Sequence, residues 1–160
     1  MRLPYFFFGT LMDPDVLRLV LGRSPGSFST AATLHGYARV RVANEPYPAL
    51  VSAPGASVDG LLLRNYSDED DRRIRYFEDF DFAIEQTVVE TATGPEDAHF
   101  CGAISNIAPT DLPWSYEDWM LTEKDRFLQV AEIYMAAYGT LEGEAADKLW
   151  LDTVADLFGR

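Results

Sequence analysis

Apolar residues in the first hundred positions fall mostly in short runs or alternate with polar ones. After position 115 they recur every three or four residues. The first pattern predicts strands and the second predicts helices. Residues 5–8 are four consecutive aromatics with no polar interruption, so they read as a buried strand. Asp13 and Pro14 then open a helix, because aspartate caps well and proline lacks only an amide that the first turn leaves unused. Val16, Leu17, Val20 and Leu21 fall on one face of it, and Gly22 ends it.

Further on, "ATLHGYARVRVAN" predicts a long strand, with Tyr37, Arg39 and Arg41 on one side and Ala38, Val40 and Val42 on the other. Gly36 marks a bulge or a close backbone approach within it. "EPYPAL" carries two prolines and is expected to be extended but outside a central strand, and "SVDGLLLRNY" reads as a separate strand. Ser67 precedes a helix whose first turn is acidic and whose apolar edge is Ile74 and Phe77. "FAIEQTVVETAT" and "AHFCGAISNI" predict a hairpin turning at "GPED".

Ser115 with Asp118 three residues on is a capping signal. One helix follows to Gly139, with Trp119, Phe127, Val130, Ile133, Tyr134 and Ala137 as its apolar face. A last helix covers about 144–158 around Leu149, Trp150, Val154 and Leu157. Strands first and helices last imply an α+β class. The expectation is one domain over 1–160 with a helical C-terminal segment at 115–158, and a small barrel is one way for the strands to close.

Composition narrows the function classes. The 160 residues are 48% hydrophobic and 13% aromatic, a globular content. Lys and Arg number 13 against 26 Asp and Glu, a net charge of −13 that repels phosphate backbones, so no nucleic-acid partner is expected. Cys101 is the only cysteine, which excludes an intrachain disulfide and suits a reducing compartment. Its apolar strand context reads as a buried, inert thiol. His35 and His99 stand alone without ligand spacing, so no metal is argued for. "MRLPYFFF" is too short for a signal sequence and no run approaches a membrane span, so the expectation is a cytoplasmic protein without membrane contact.

Two stretches carry candidate chemistry. The first is Phe8-Gly9-Thr10-Leu11, where an aromatic strand thins to glycine before a helix begins. Glycine admits close backbone approach, and amides ahead of a helix can hold a carboxylate or an oxyanion. A plain tight turn explains the same residues. The second is Glu78, set among Phe77, Phe80 and Phe82. Apolar neighbours raise a carboxyl pKa toward the range of a general base, although a solvated loop after a helix is the plainer reading of these residues alone.

"YFFFGTLMDPDVL" resembles the opening of the γ-glutamylcyclotransferase-like superfamily, and in particular its AIG2-like (avirulence-induced) branch. "LHGYARV", "YPAL", "VDGLLL", "FEDFDF" and "WSYEDWMLTEKDRFLQV" follow in family order, so the resemblance spans roughly residues 4–137. It implies a small mixed β-barrel-like sheet with flanking helices. It also implies cyclisation of a γ-glutamyl amine or peptide to 5-oxoproline with release of an amine, with no metal or cofactor. Glu78 matches the catalytic glutamate, and Phe8, Gly9, Thr10 and Leu11 match the substrate loop. Pro48 and Asp79 match positions that shape the pocket, and Phe82 stands at a pocket position of the branch. The implied partner is a small γ-glutamyl compound, and the oligomeric state stays open.

This chain departs from the pattern at Phe8, which stands for a tyrosine, and at Thr10, which stands for a serine. Phe82 and Ile84 replace a Tyr-x-Arg pair. The alternative on the same scaffold is a carboxylate-binding module without turnover. A protein-interaction surface built on Trp114, Tyr116 and Trp119 is a third reading, against helix core as the plain one.

Overall fold

A computed structural model describes residues 2–25, 30–78, 82–103 and 108–159. Its elements, in chain order, are β1 (Tyr5–Phe7), a 3-10 turn (Thr10–Met12), α1 (Pro14–Leu21), β2 (Thr30–Val42), β3 (Pro48–Leu63) and α2 (Asp68–Glu78). There follow β4 (Phe82–Thr91), β5 (Gly94–Ala103), β6 (Pro109–Pro113), α3 (Tyr116–Thr122), α4 (Lys124–Ala136) and α5 (Gly143–Phe158). The sheet runs β3-β1-β5-β4-β2, and β2 pairs back onto β3, which closes a five-stranded barrel. The β1–β5 pair is parallel, at Tyr5 and His99, and the others are antiparallel. The protein is therefore α+β, with a mixed barrel and flanking helices.

Closure explains the aromatic run. β1 is hydrogen-bonded to β3 on one side and β5 on the other, so its backbone groups are satisfied away from water. Successive side chains point to opposite faces of a strand. Phe6 and Phe8 enter the barrel interior with Leu34, Leu50, Leu62 and Phe100. Tyr5 and Phe7 face outward into a second cluster built with α1, α2, α4 and α5. Both faces of β1 are buried, and a strand buried on both faces reads as one continuous apolar run.

Several boundaries differ from the sequence expectation. The end of "EPYPAL", from Pro48, and most of "SVDGLLLRNY", to Leu63, belong to one strand, β3. The Pro48–Leu50 end pairs with β2 alone, so the prolines do sit where no second ladder is required. Gly36 is a bulge: the β2–β3 register shifts between His35 and Tyr37, and Gly36 takes φ 86°, which favours glycine. The β4–β5 hairpin turns at Ala92-Thr93, between paired Thr91 and Gly94, rather than at "GPED". α1 and α2 fall between strands, where Asp13-Pro14 and Ser67 place them.

The helix expected after Ser115 is two helices that break at Glu123. The break resets the phase, so Phe127, Val130, Ala131 and Tyr134 are buried while Ile133 is exposed. β6 has no clear signal in "APTDLP", because it takes its pairing from β2 at Val40 and Val42. Trp114 and Trp119 are buried in the outer cluster, which answers the interaction-surface reading in favour of core.

Candidate active site

The loop after β1 is shaped by four contacts. Arg39 Nη1 donates to the carbonyl of Phe8 at 2.8 Å. Gly9 then passes so close to Pro48 that a Cβ there would lie 2.9 Å from Pro48 Cγ. Glycine is thus required by the neighbouring β3, a reason the sequence reading assigned to a ligand. The 3-10 turn is closed by Met12 N donating to Gly9 O and Asp13 N donating to Thr10 O, both at 3.0 Å. The amides of Thr10 and Leu11, at the start of that turn, have no acceptor within it.

The start of α1 does not supply the anion cradle expected of it. Asp13 caps the helix, with Oδ1 accepting from Asp15 N at 2.9 Å and Val16 N at 3.2 Å. Its Oδ2 accepts from the Tyr116 hydroxyl at 2.8 Å and from Lys124 Nζ at 2.9 Å. The first-turn amides of α1 are therefore occupied, and a buried carboxylate stands in front of them.

Glu78 is the last residue of α2. Phe77 beside it is buried against Phe127, Tyr134 and Trp150, which fixes the end of the helix. The Glu78 residue as a whole is half-buried, but its carboxyl is enclosed by protein. Burial pushes its pKa up from the ordinary value to about 7, and a hydrogen bond with the Cys101 thiol pulls in the opposite direction.

Phe8, Gly9, Thr10, Leu11, Pro48 and Glu78 line one cavity of about 30 Å³, together with Phe6, Phe7, Tyr47 and Cys101. This volume admits one or two waters, so only a polar tip of a ligand fits without movement. Glu78 is the only charged side chain on that wall among the described residues. Phe82 starts β4 opposite Ala103, and its side chain lies outside the described residues, as does all of Asp79. Ile84 pairs with Cys101 and packs on the outer cluster, so the position where the resemblance implies an arginine presents an apolar side chain.

Two wall residues went unread in the sequence. Cys101 was taken as inert and Tyr47 carried no signal. Cys101 reaches Glu78 because β5 is in register with β4 and parallel to β1, and neither pairing is visible in the local pattern.

A profile of the family described as gamma-glutamyl cyclotransferase, AIG2-like, matches residues 5–121 of this sequence. The chain belongs to that family. The matched span contains every candidate site residue and both sides of the cavity. Among curated relatives, AIG2-like protein D of Arabidopsis thaliana is 30% identical over 132 residues, covering 79% of this chain and 85% of the relative. Protein AIG2 C of the same plant is 25% identical over 129 residues, covering 78% and 76%. A solution structure of another Arabidopsis thaliana protein superposes with a TM-score of 0.59 at 22% identity, covering 87% of this chain and 94% of that one. A structure titled gamma-glutamyl cyclotransferase superposes at 0.52 with 14% identity, covering 92% and 85%. These likenesses establish the family's fold for this chain. No helix among the described residues is long and apolar enough to cross a membrane.

Proposed function

We propose that this protein is an enzyme that cyclises a small γ-glutamyl amine or peptide to 5-oxoproline and releases the amine, with Glu78 as general base. The observation that carries the reading is that Glu78 and the 9–11 loop line the same cavity. A base and the donors for a developing oxyanion must face one reacting carbonyl, and the shared cavity of residues 69 positions apart in sequence supports that reading.

The chemistry follows from the groups present. The substrate's α-ammonium cannot attack, so Glu78 takes a proton from it. A carboxyl near 7 is well matched to an α-amine whose own pKa is about 8. The amine nitrogen bonds to the γ-carbonyl carbon, and the oxygen acquires charge facing the Thr10 and Leu11 amides. The C–N bond to the leaving amine then breaks. The ammonium nitrogen gives up two protons as it becomes the lactam nitrogen, and the departing amine acquires two as it leaves as an ammonium. No net proton is exchanged, so one carboxyl suffices as a shuttle. Phe6, Phe7 and Phe8 keep water from the carboxyl and hold the substrate folded on itself. Pro48 and Leu11 close the sides, and Phe82 belongs to the same pocket in this reading. The bulk of the substrate lies outside the small notch, and its γ-carbonyl and amine enter.

The test is incubation with a panel of γ-glutamyl amines and peptides, with 5-oxoproline measured. Release above the spontaneous rate on at least one member is expected. Binding without release would favour the carboxylate-binding module, the reading to which the missing hydroxyl at Phe8 lends weight.

A further inference from the structure

A buried carboxylate must find donors, because water no longer supplies them. An ionised carboxylate held well inside a protein gathers several donors, and Asp13 has four: two amides, a hydroxyl and an ammonium. Glu78 has a different environment. Its own element, α2, packs against α1, β4, α4 and α5, and among the described residues none of these places a charged group on the cavity wall. From β5 comes Cys101, and from the segment entering β3 comes Tyr47. These are the titratable groups that share the cavity with Glu78 among the described residues. Cys101 is the side chain whose hydrogen bond acts on it.

The thiol is also held more rigidly than a surface donor would be. Cys101 is buried in β5, a strand bonded to β4 through the pair Ile84–Cys101 and to β1 two residues earlier at His99. Strand parity sends Cys101 outward from the barrel, opposite to Phe100, toward the end of α2. We propose that Cys101 is a positioning residue: its S–H donates to the Glu78 carboxylate, aims it into the cavity, and keeps it available in the ionised form. This rests on the reading of Glu78 as general base.

The strength of the donor is the point. A wholly apolar wall would leave the carboxylate protonated at neutral pH. A thiol is a weak donor, so it orients the group while leaving its proton affinity near neutrality.

The experiment is a pH titration of the Glu78 side-chain carboxyl by carbon-13 NMR in the full chain, with Glu78→Gln to assign the signal. Wild type is compared with Cys101→Ala and Cys101→Ser. Loss of the donor in Cys101→Ala is expected to move the Glu78 midpoint up by about one pH unit. Cys101→Ser, which keeps a donor, is expected to restore it to the wild-type value or below. On a substrate that turns over, the acidic limb of kcat/KM should move with the midpoint in both variants. A midpoint unchanged in Cys101→Ala overturns the proposal, as does a midpoint displaced equally by alanine and serine. The NMR result is independent of turnover, so a chain that releases no 5-oxoproline removes the proposed reaction without deciding the Cys101–Glu78 contact.

Discussion

Asp13 and Glu78 are two carboxylates near one short loop, and their surroundings are opposite. Asp13 is 1% exposed and accepts from two backbone amides, the Tyr116 hydroxyl and Lys124 Nζ. The effect shows on its partners. Asp15 and Asp13 together raise the Lys124 pKa, while burial and the bond to Asp13 push the Tyr116 hydroxyl up to about 12. Glu78 shares its cavity with aromatic rings and a thiol, and burial dominates its pKa. A carboxylate surrounded by donors is a structural tie, here between the loop and α3–α4. A carboxylate denied them titrates near neutrality and can exchange protons. Residue type alone does not separate the two roles.

The comparison is sharpened most by Glu78→Gln. Glutamine keeps the shape and cannot take the proton, so turnover should fall by about two to four powers of ten, mainly in kcat. The same variant tests the energetic half of the contrast. A carboxyl with a folded-state pKa raised from 4.5 to about 7 is protonated in the folded chain and ionised in the unfolded one between those values. Wild-type stability should therefore decline as pH rises through that window, while the variant lacks this decline. At pH 8 the variant should be the more stable by up to about 3 kcal/mol, and near pH 4.5 the two should coincide. Urea titrations at both pH values check this. A variant less stable at pH 8 would mean that Glu78 is a structural tie like Asp13.

Asp13→Ala should instead be destabilising. It removes a helix cap and the acceptor of Tyr116, and it leaves Lys124 with Asp15 alone. About 3 kcal/mol of stability should be lost at pH 7, with the Glu78 titration midpoint in place. A loss below about 1 kcal/mol would dissolve the distinction between the two carboxylates. Gly9→Ala should cost about 1–3 kcal/mol, because the new methyl meets Pro48. Adding Pro48→Ala should recover most of that loss, and a strictly additive double variant would place the strain elsewhere. Tyr116→Phe should have the smallest effect, about 1 kcal/mol. It deletes one donor to Asp13 and keeps the ring stacked on Trp119.

What could be read locally was decided by local forces. Asp13-Pro14 announced α1 because capping acts within three residues, and Gly36 announced a bulge because the strand pattern runs through it. Glu78 was legible through its aromatic neighbours in sequence, one of which, Phe77, does pack over the end of α2. The break at Glu123 was not legible. Its residues keep helical spacing, and only packing of α4 against α1 and α5 turns the chain there.

The chain's own order of residues determined that four aromatics must be buried, that a helix must follow Asp13, and that a carboxyl sits at the end of an apolar helix edge. Tertiary structure alone decided that both faces of β1 are covered, since that requires β2 to close onto β3. It also decided that Gly9 serves Pro48 and that Cys101 meets Glu78. Those contacts depend on strand register and parity across the barrel, which long-range pairing sets and no window of neighbouring residues encodes.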